Sequence, residues 1–110
     1  MGSVDWEKFG QWIAKEVLNA LDEFCVHYAE DPLVCYKTYA GYSLLDLAEE
    51  FAFRSAITPE DLELLRGMPW DIYERYNRVL HDALRDIIEH METEGRRSRE
   101  SRRREIAQGL

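Results

Sequence analysis

The chain has 110 residues, enough for one domain with a single core and too few for two. Its hydrophobic fraction of 45% and aromatic fraction of 12% exclude an intrinsically disordered chain. The net charge of −8 is unevenly divided, because residues 1–95 contain 20 acidic and 8 basic side chains, whereas residues 96–110 contain six arginines and two glutamates. We therefore predict an acidic domain over residues 1–95 and a basic C-terminal tail over residues 96–110, either a helical extension or disordered.

The hydropathy pattern and the cysteine content bear on where the protein acts. No apolar run approaches the roughly 20 residues that a membrane-spanning helix needs, and the N-terminus lacks the pattern of a secretory signal. Two cysteines are too few for a disulfide framework, so we interpret Cys25 and Cys35 as reduced, buried thiols. We expect a cytoplasmic protein without membrane contact.

The first part of the chain predicts two helices separated by a proline. Apolar residues recur at helical spacing over about residues 4–30, and Ser3 is placed to cap this long helix. Asp31-Pro32 ends that helix and supplies the cap and first position of the next one, a short helix reaching about residue 40. The composition of residues 33–39 would also suit a strand.

The remainder of the chain predicts two further short helices and a second long one. Ser43 with Asp46 resembles a capping box that opens a helix ending near residue 54, with apolar positions that include Phe53. Thr58-Pro59 starts another helix, and the last helix covers about residues 70–94 and ends at Gly95. The sequence therefore predicts an all-α fold, a small bundle of two long helices packed with two or three short ones.

Two carboxylate–histidine pairs are the only candidates for a metal site. Glu23 and His27 are four residues apart on the first long helix, as are Asp86 and His90 on the last, so each pair shares a helix face. If the long helices are antiparallel neighbours, the two pairs lie toward opposite ends of the bundle. We therefore interpret them as surface ion-pairing groups and expect neither a metal nor another cofactor.

One pattern is suggestive of RNA cleavage. Arg75 and His81 are separated by five residues, a spacing that resembles the Arg-x(4–6)-His motif of HEPN-type ribonucleases. The resemblance implies a small helical dimer in which Arg75 stabilises phosphate charge and His81 acts as general acid or base. Tyr76 departs from the polar residue that usually follows the arginine in that family.

The tail offers three interpretations. Its arginines could bind the phosphates of a nucleic acid, remain a solvated helical extension, or dock on an acidic protein surface, either of its own chain or of a partner subunit. These residues are Arg96, Arg97, Arg99, Arg102, Arg103 and Arg104. If the protein binds nucleic acid, we expect the tail alone to do so.

The aromatic content favours a binding role over catalysis. Thirteen aromatic residues exceed what a thin bundle can bury, and Trp and Tyr are preferred anchors of protein interfaces. The chain should therefore be a non-enzymatic protein-interaction module, such as an adaptor, inhibitor, immunity-type or assembly-chaperone protein, that forms a homo-oligomer. The alternatives are the ribonuclease and a nucleic-acid-binding accessory protein. The expected interface anchors are Trp6, Trp12, Tyr36, Tyr39, Tyr42 and Trp70.

Overall fold

The computed structural model describes the backbone of residues 3–108 and the side chains of residues 3–96. Within this range the chain forms α-helices and no strand, which confirms the predicted all-α fold with two long helices. None of these helices is long and apolar enough to cross a membrane. The elements are α1 (Trp6–His27), α2 (Pro32–Tyr39), α3 (Leu44–Phe51), a 3-10 turn (Ala52–Arg54), α4 (Pro59–Arg66) and α5 (Trp70–Gln108).

Side-chain caps set the beginnings of the short helices as predicted. Asp31 accepts hydrogen bonds from two backbone N–H groups in the first turn of α2, and Thr58 forms a reciprocal capping box at the start of α4. The cap of α1 differs from the prediction. Asp5, rather than Ser3, accepts a hydrogen bond of 3.1 Å from the backbone N–H of Lys8.

Helix α5 continues beyond its predicted end. It passes through Gly95 without a break and reaches Gln108, so the predicted end at Gly95 is wrong. A glycine inside a helix costs about 1 kcal/mol relative to alanine, which weakens a helix without stopping it. The left-handed backbone with which glycine often ends a helix does not occur here, since no described glycine has a positive φ. The 39-residue helix is about 58 Å long.

The two long helices run parallel. Near the start of both, the Tyr76 hydroxyl donates a hydrogen bond of 2.6 Å to the Glu7 carboxylate, and further along, Leu18 and Ala83 line the same hollow. Residue numbers in the contacting parts of α1 and α5 thus increase in the same direction. This excludes the antiparallel arrangement considered for the two carboxylate–histidine pairs. The end of α1 and the region of α5 near Gly95 consequently lie at the same end of the bundle.

The Tyr76 ring lies against α1 at Gly10. A β-carbon built on Gly10 would lie 2.3 Å from Cδ2 and 2.4 Å from Cε2 of the Tyr76 ring. The ring is 6% exposed, and its hydroxyl is held by the Glu7 carboxylate and backbone carbonyl. Only a residue without a β-carbon fits between the two helices at this point.

Side chains of α5 also cap α3. The Asn77 Oδ1 accepts a hydrogen bond of 2.7 Å from the backbone N–H of Leu44, and the Tyr73 hydroxyl accepts one of 3.1 Å from that of Leu45. These N–H groups belong to the first turn of α3 and have no partner within the helix itself. Together with the apolar core, they fix the position of α3 against α5. The largest fully buried side chains are Ile13, Val17, Leu21, Cys25, Leu44, Leu47, Leu65, Leu80 and Leu84.

A disulfide joins α1 to α2. Cys25 and Cys35 are bonded to each other, with their Cα atoms 5.5 Å apart, so the prediction of two reduced thiols is wrong. Cys25 has no exposed surface and Cys35 is 8% exposed, which confirms only that both are buried. Because stable disulfides are typical of oxidising compartments, the thiol argument for a cytoplasmic protein no longer holds.

Candidate functional site

The most prominent surface feature is a group of aromatic rings around one arginine. The guanidinium of Arg54 lies 5.2 Å from the ring centroid of Phe24, 4.9 Å from that of Tyr28 and 5.0 Å from that of Phe53. Tyr39 extends the group, with its ring centroid 6.1 Å from that of Phe24. We call these five residues the aromatic–arginine surface. It lies at the end of the bundle where α1 ends.

The surface is exposed although it is largely aromatic. Phe53 is 78% exposed and Tyr28 is 62% exposed. Arg54 forms no ion pair with any residue whose side chain is described, even though the body is strongly acidic. Its guanidinium is therefore held by cation–π contacts, each of which contributes about 0.5–1 kcal/mol at an exposed site.

The end of α3 explains why Phe53 points outward. The helix stops at Phe51, whose side chain is 2% exposed and packs under Phe24 with ring centroids 5.6 Å apart. The following 3-10 turn then carries Phe53 away from the core. The sequence pattern predicts Phe53 on the apolar face of the helix, and this prediction is wrong because a residue two positions after Phe51 lies on nearly the opposite side of a helix. That spacing was the available signal for an exposed ring.

A hollow with an acidic rim adjoins this surface. Its volume is about 390 Å³, and Phe24 and Tyr39 form part of its wall together with the carboxylate residues Glu30 and Asp31. Burial raises the pKa of the Tyr39 hydroxyl, and the negative charge of Glu50 raises it further. Glu30, Asp31 and Glu50 thus place three carboxylates near the aromatic wall, against the single positive charge of Arg54.

The predicted interface anchors do not form one surface. Trp70 is 70% exposed, Trp12 is 37% exposed and Tyr42 is 36% exposed, whereas Trp6 and Tyr39 are half-buried. Tyr36 is a correction to the prediction. It is 3% exposed and its hydroxyl donates a hydrogen bond of 2.7 Å to Asp22, so it belongs to the core.

Other apolar hollows lie elsewhere on the molecule. Trp70 stacks on Tyr73 with ring centroids 5.6 Å apart beside a hollow of about 370 Å³ between the starts of α3 and α5. A shallow apolar hollow of about 260 Å³ lies between α1 and α5, where Val79 is 52% exposed. Arg66 also lines the hollow beside Trp70, but its guanidinium forms ion pairs with Glu49 and Glu63.

Arg75 and His81, the residues of the ribonuclease resemblance, contact different parts of the bundle. Arg75 forms an ion pair with Glu7 of α1, and this hydrogen-bonded partner raises the pKa of the guanidinium. The His81 Nε2 lies 2.6 Å from the backbone carbonyl oxygen of Tyr42 and must donate, because a carbonyl oxygen only accepts. The structure does not bring the two side chains together.

The two carboxylate–histidine pairs lie at the same end of the bundle because the long helices are parallel. All four side chains, Glu23, His27, Asp86 and His90, are exposed. Among the residues whose side chains are described, no group of three or more His, Cys, Asp or Glu residues could hold a metal ion.

The tail continues α5 away from the body. Gly95 and Arg96 line a hollow together with Leu33 and Lys37 of α2, and Arg96 is exposed. The side chains of Arg97, Arg99, Arg102, Arg103 and Arg104 lie outside the described residues.

Comparison with known proteins gives no match to a family model, a curated protein or a solved structure.

Proposed function

We propose that this protein is a non-enzymatic protein-interaction module that self-associates through the aromatic–arginine surface. The observation that carries the proposal is the exposure of Phe53 and Tyr28 on either side of the Arg54 guanidinium. Tyrosine and arginine are enriched among the energetically dominant contacts of protein interfaces, and phenylalanine is enriched in interface cores.

The energetics favour a covered state of this surface. Transfer of a fully exposed phenylalanine side chain out of water contributes about 2–3 kcal/mol, and Phe53 gains little of this in the single chain. The Arg54 guanidinium would lose water on association but keep its three ring contacts. The surface is also anchored, since Phe51 beneath it is buried and the disulfide holds α2 against α1. A pre-ordered surface loses less conformational entropy on binding.

The test is the mass of the protein in solution as a function of concentration. In sedimentation velocity experiments, the wild-type protein should exceed the 13.0 kDa of one chain as its concentration rises. Phe53→Ser should remain at the single-chain mass at every concentration that associates the wild type. Its thermal unfolding should be unchanged, because Phe53 contributes little to the core.

Val79→Ser provides a matched control. It removes an exposed apolar side chain from the hollow between α1 and α5, and should leave association unchanged. A wild-type protein that stays at the mass of one chain at all concentrations would overturn the proposal. Association that is lost in Val79→Ser and retained in Phe53→Ser would overturn the assignment of the surface.

A further inference from the structure

The last part of α5 continues as a helix beyond Gly95. Residues 96–108 continue the helix past the hollow that Gly95 and Arg96 line with α2, and we call them the arginine-rich overhang. Twelve residues beyond Arg96 extend the helix by about 18 Å. Since the helix is continuous, the far end of the overhang cannot fold back onto the body from which it projects.

The charges of the two parts are complementary. The body carries 20 acidic and 8 basic residues, and much of its positive charge is already used, because Lys37, Arg66, Arg75 and Arg85 form ion pairs within the body. Residues 96–110 carry six arginines and two glutamates. The far end of the overhang, which cannot fold back onto its own body, can contact the acidic body of another copy.

The aromatic–arginine surface has the chemistry to receive guanidinium groups. Arg54 shows that its rings hold one guanidinium within 5.2 Å of three ring centroids. The adjoining hollow shares Phe24 and Tyr39 with this surface and adds the carboxylates of Glu30 and Asp31. Ring faces and carboxylates are the two kinds of partner that an arginine side chain prefers.

The overhang and this surface lie at the same end of the bundle. Because α1 and α5 are parallel, the end of α1, which carries Phe24 and Tyr28, is level with the point where α5 leaves the body. Two copies related by a twofold axis could therefore exchange overhangs, each lying across the surface of the other. Such an interface is self-complementary and closes at two chains.

We infer that the arginine-rich overhang of one copy docks on the aromatic–arginine surface and acidic hollow of a second copy. This inference rests on the proposed function, since it names the partner of the same surface. It predicts that association depends on salt, because the contacts between the overhang and the acidic rim are screened at high ionic strength.

The experiment compares charge reversals in the full-length chain by sedimentation velocity. Arg102→Glu combined with Arg103→Glu should weaken association at least tenfold, on the order expected for the loss of several charge contacts. Raising the salt concentration from 0.05 to 0.5 M should weaken association of the wild type by a similar factor. Arg78→Glu combined with Arg85→Glu changes the net charge equally on the body and should have little effect. Adding Glu30→Lys and Glu50→Lys to the tail variant should restore association, because the charges are then exchanged between the two surfaces.

The outcomes separate the inference from the proposed function. Association that is lost in Phe53→Ser but unaffected by the tail reversal and by salt would overturn the inference and leave the proposed function standing. No association of the wild type would overturn both. If the tail reversal removes only co-purifying nucleic acid, seen as a fall in the ratio of absorbance at 260 to 280 nm, while the mass stays the same, the tail serves nucleic acid and the inference is wrong.

Discussion

Replacement of Gly10 by alanine tests the packing of the two long helices directly. In an exposed helix this substitution stabilises a protein by about 0.5–1 kcal/mol, because alanine loses less conformational entropy on folding. Here the new β-carbon would lie 2.3 Å from the Tyr76 ring, and the ring would have to move by about 1 Å to restore ordinary contact. The hydrogen bonds from Tyr76 to Glu7 oppose that movement.

The expected result is therefore a loss of stability. Overpacking of a buried site costs about 1–3 kcal/mol, which exceeds the gain in helix propensity. We expect Gly10→Ala to lower the free energy of unfolding by about 1–2 kcal/mol. At an unchanged m-value this corresponds to a fall of about 1 M in the urea midpoint. Urea unfolding followed by circular dichroism and tryptophan fluorescence measures both quantities.

Two further variants separate the clash from the intrinsic preference of the helix. Gly95→Ala is the matched control, because its β-carbon would meet nothing within 4 Å; it should raise the helix content without lowering the midpoint. In a Tyr76→Leu background the ring is gone, so Gly10→Ala should become neutral or stabilising. A Gly10→Ala protein at least as stable as the wild type would refute the argument.

Three further predictions concern local interactions. Asn77→Ala removes the acceptor of the Leu44 N–H and should cost about 1–2 kcal/mol in urea unfolding, whereas Asn77→Asp keeps an acceptor and should cost less. Reduction of the disulfide, which links residues 10 positions apart, should lower the free energy of unfolding by about 2–3 kcal/mol. The Cys35→Ser variant should be as stable as the reduced protein, and dithiothreitol should not change its stability. Hydrogen bonds, first from Tyr76, lower the pKa of Glu7 below its ordinary value of 4.5, so its carboxylate stabilises the fold above that pH. The stability gap between wild type and Glu7→Gln should shrink as the pH falls below 4.5, and a constant gap down to pH 3 would contradict this.

Local signals in the sequence were sufficient for the helix order but not for every boundary. Asp31-Pro32 and Thr58-Pro59 determine helix starts through contacts within one turn, so they could be read directly. The prediction that α5 ends at Gly95 was wrong because glycine commonly ends a helix by taking the left-handed backbone conformation, which Gly95 does not adopt.

Features that depend on contacts between distant segments could not be predicted in the same way. The parallel course of α1 and α5, and the pairing of Cys25 with Cys35, follow from how the helices pack and not from any local pattern. The candidate surface was missed for a similar reason. Tyr36 and Phe53 are both aromatic residues on short helical segments. Tertiary packing buries Tyr36, whereas the exposure of Phe53 was signalled only by its position two residues after Phe51.

The parallel course of the long helices has a consequence for the order of folding. The Glu7–Tyr76 contact joins residues 69 positions apart, so closing that loop costs about 2 kcal/mol more in chain entropy than closing the 10-residue loop of the disulfide. We therefore expect α1 to α3 to collapse first and α5 to dock last. During synthesis, the chain would carry an uncovered apolar face until the last helix emerged, and core residues of α5 such as Leu80 and Leu84 should show φ-values near zero.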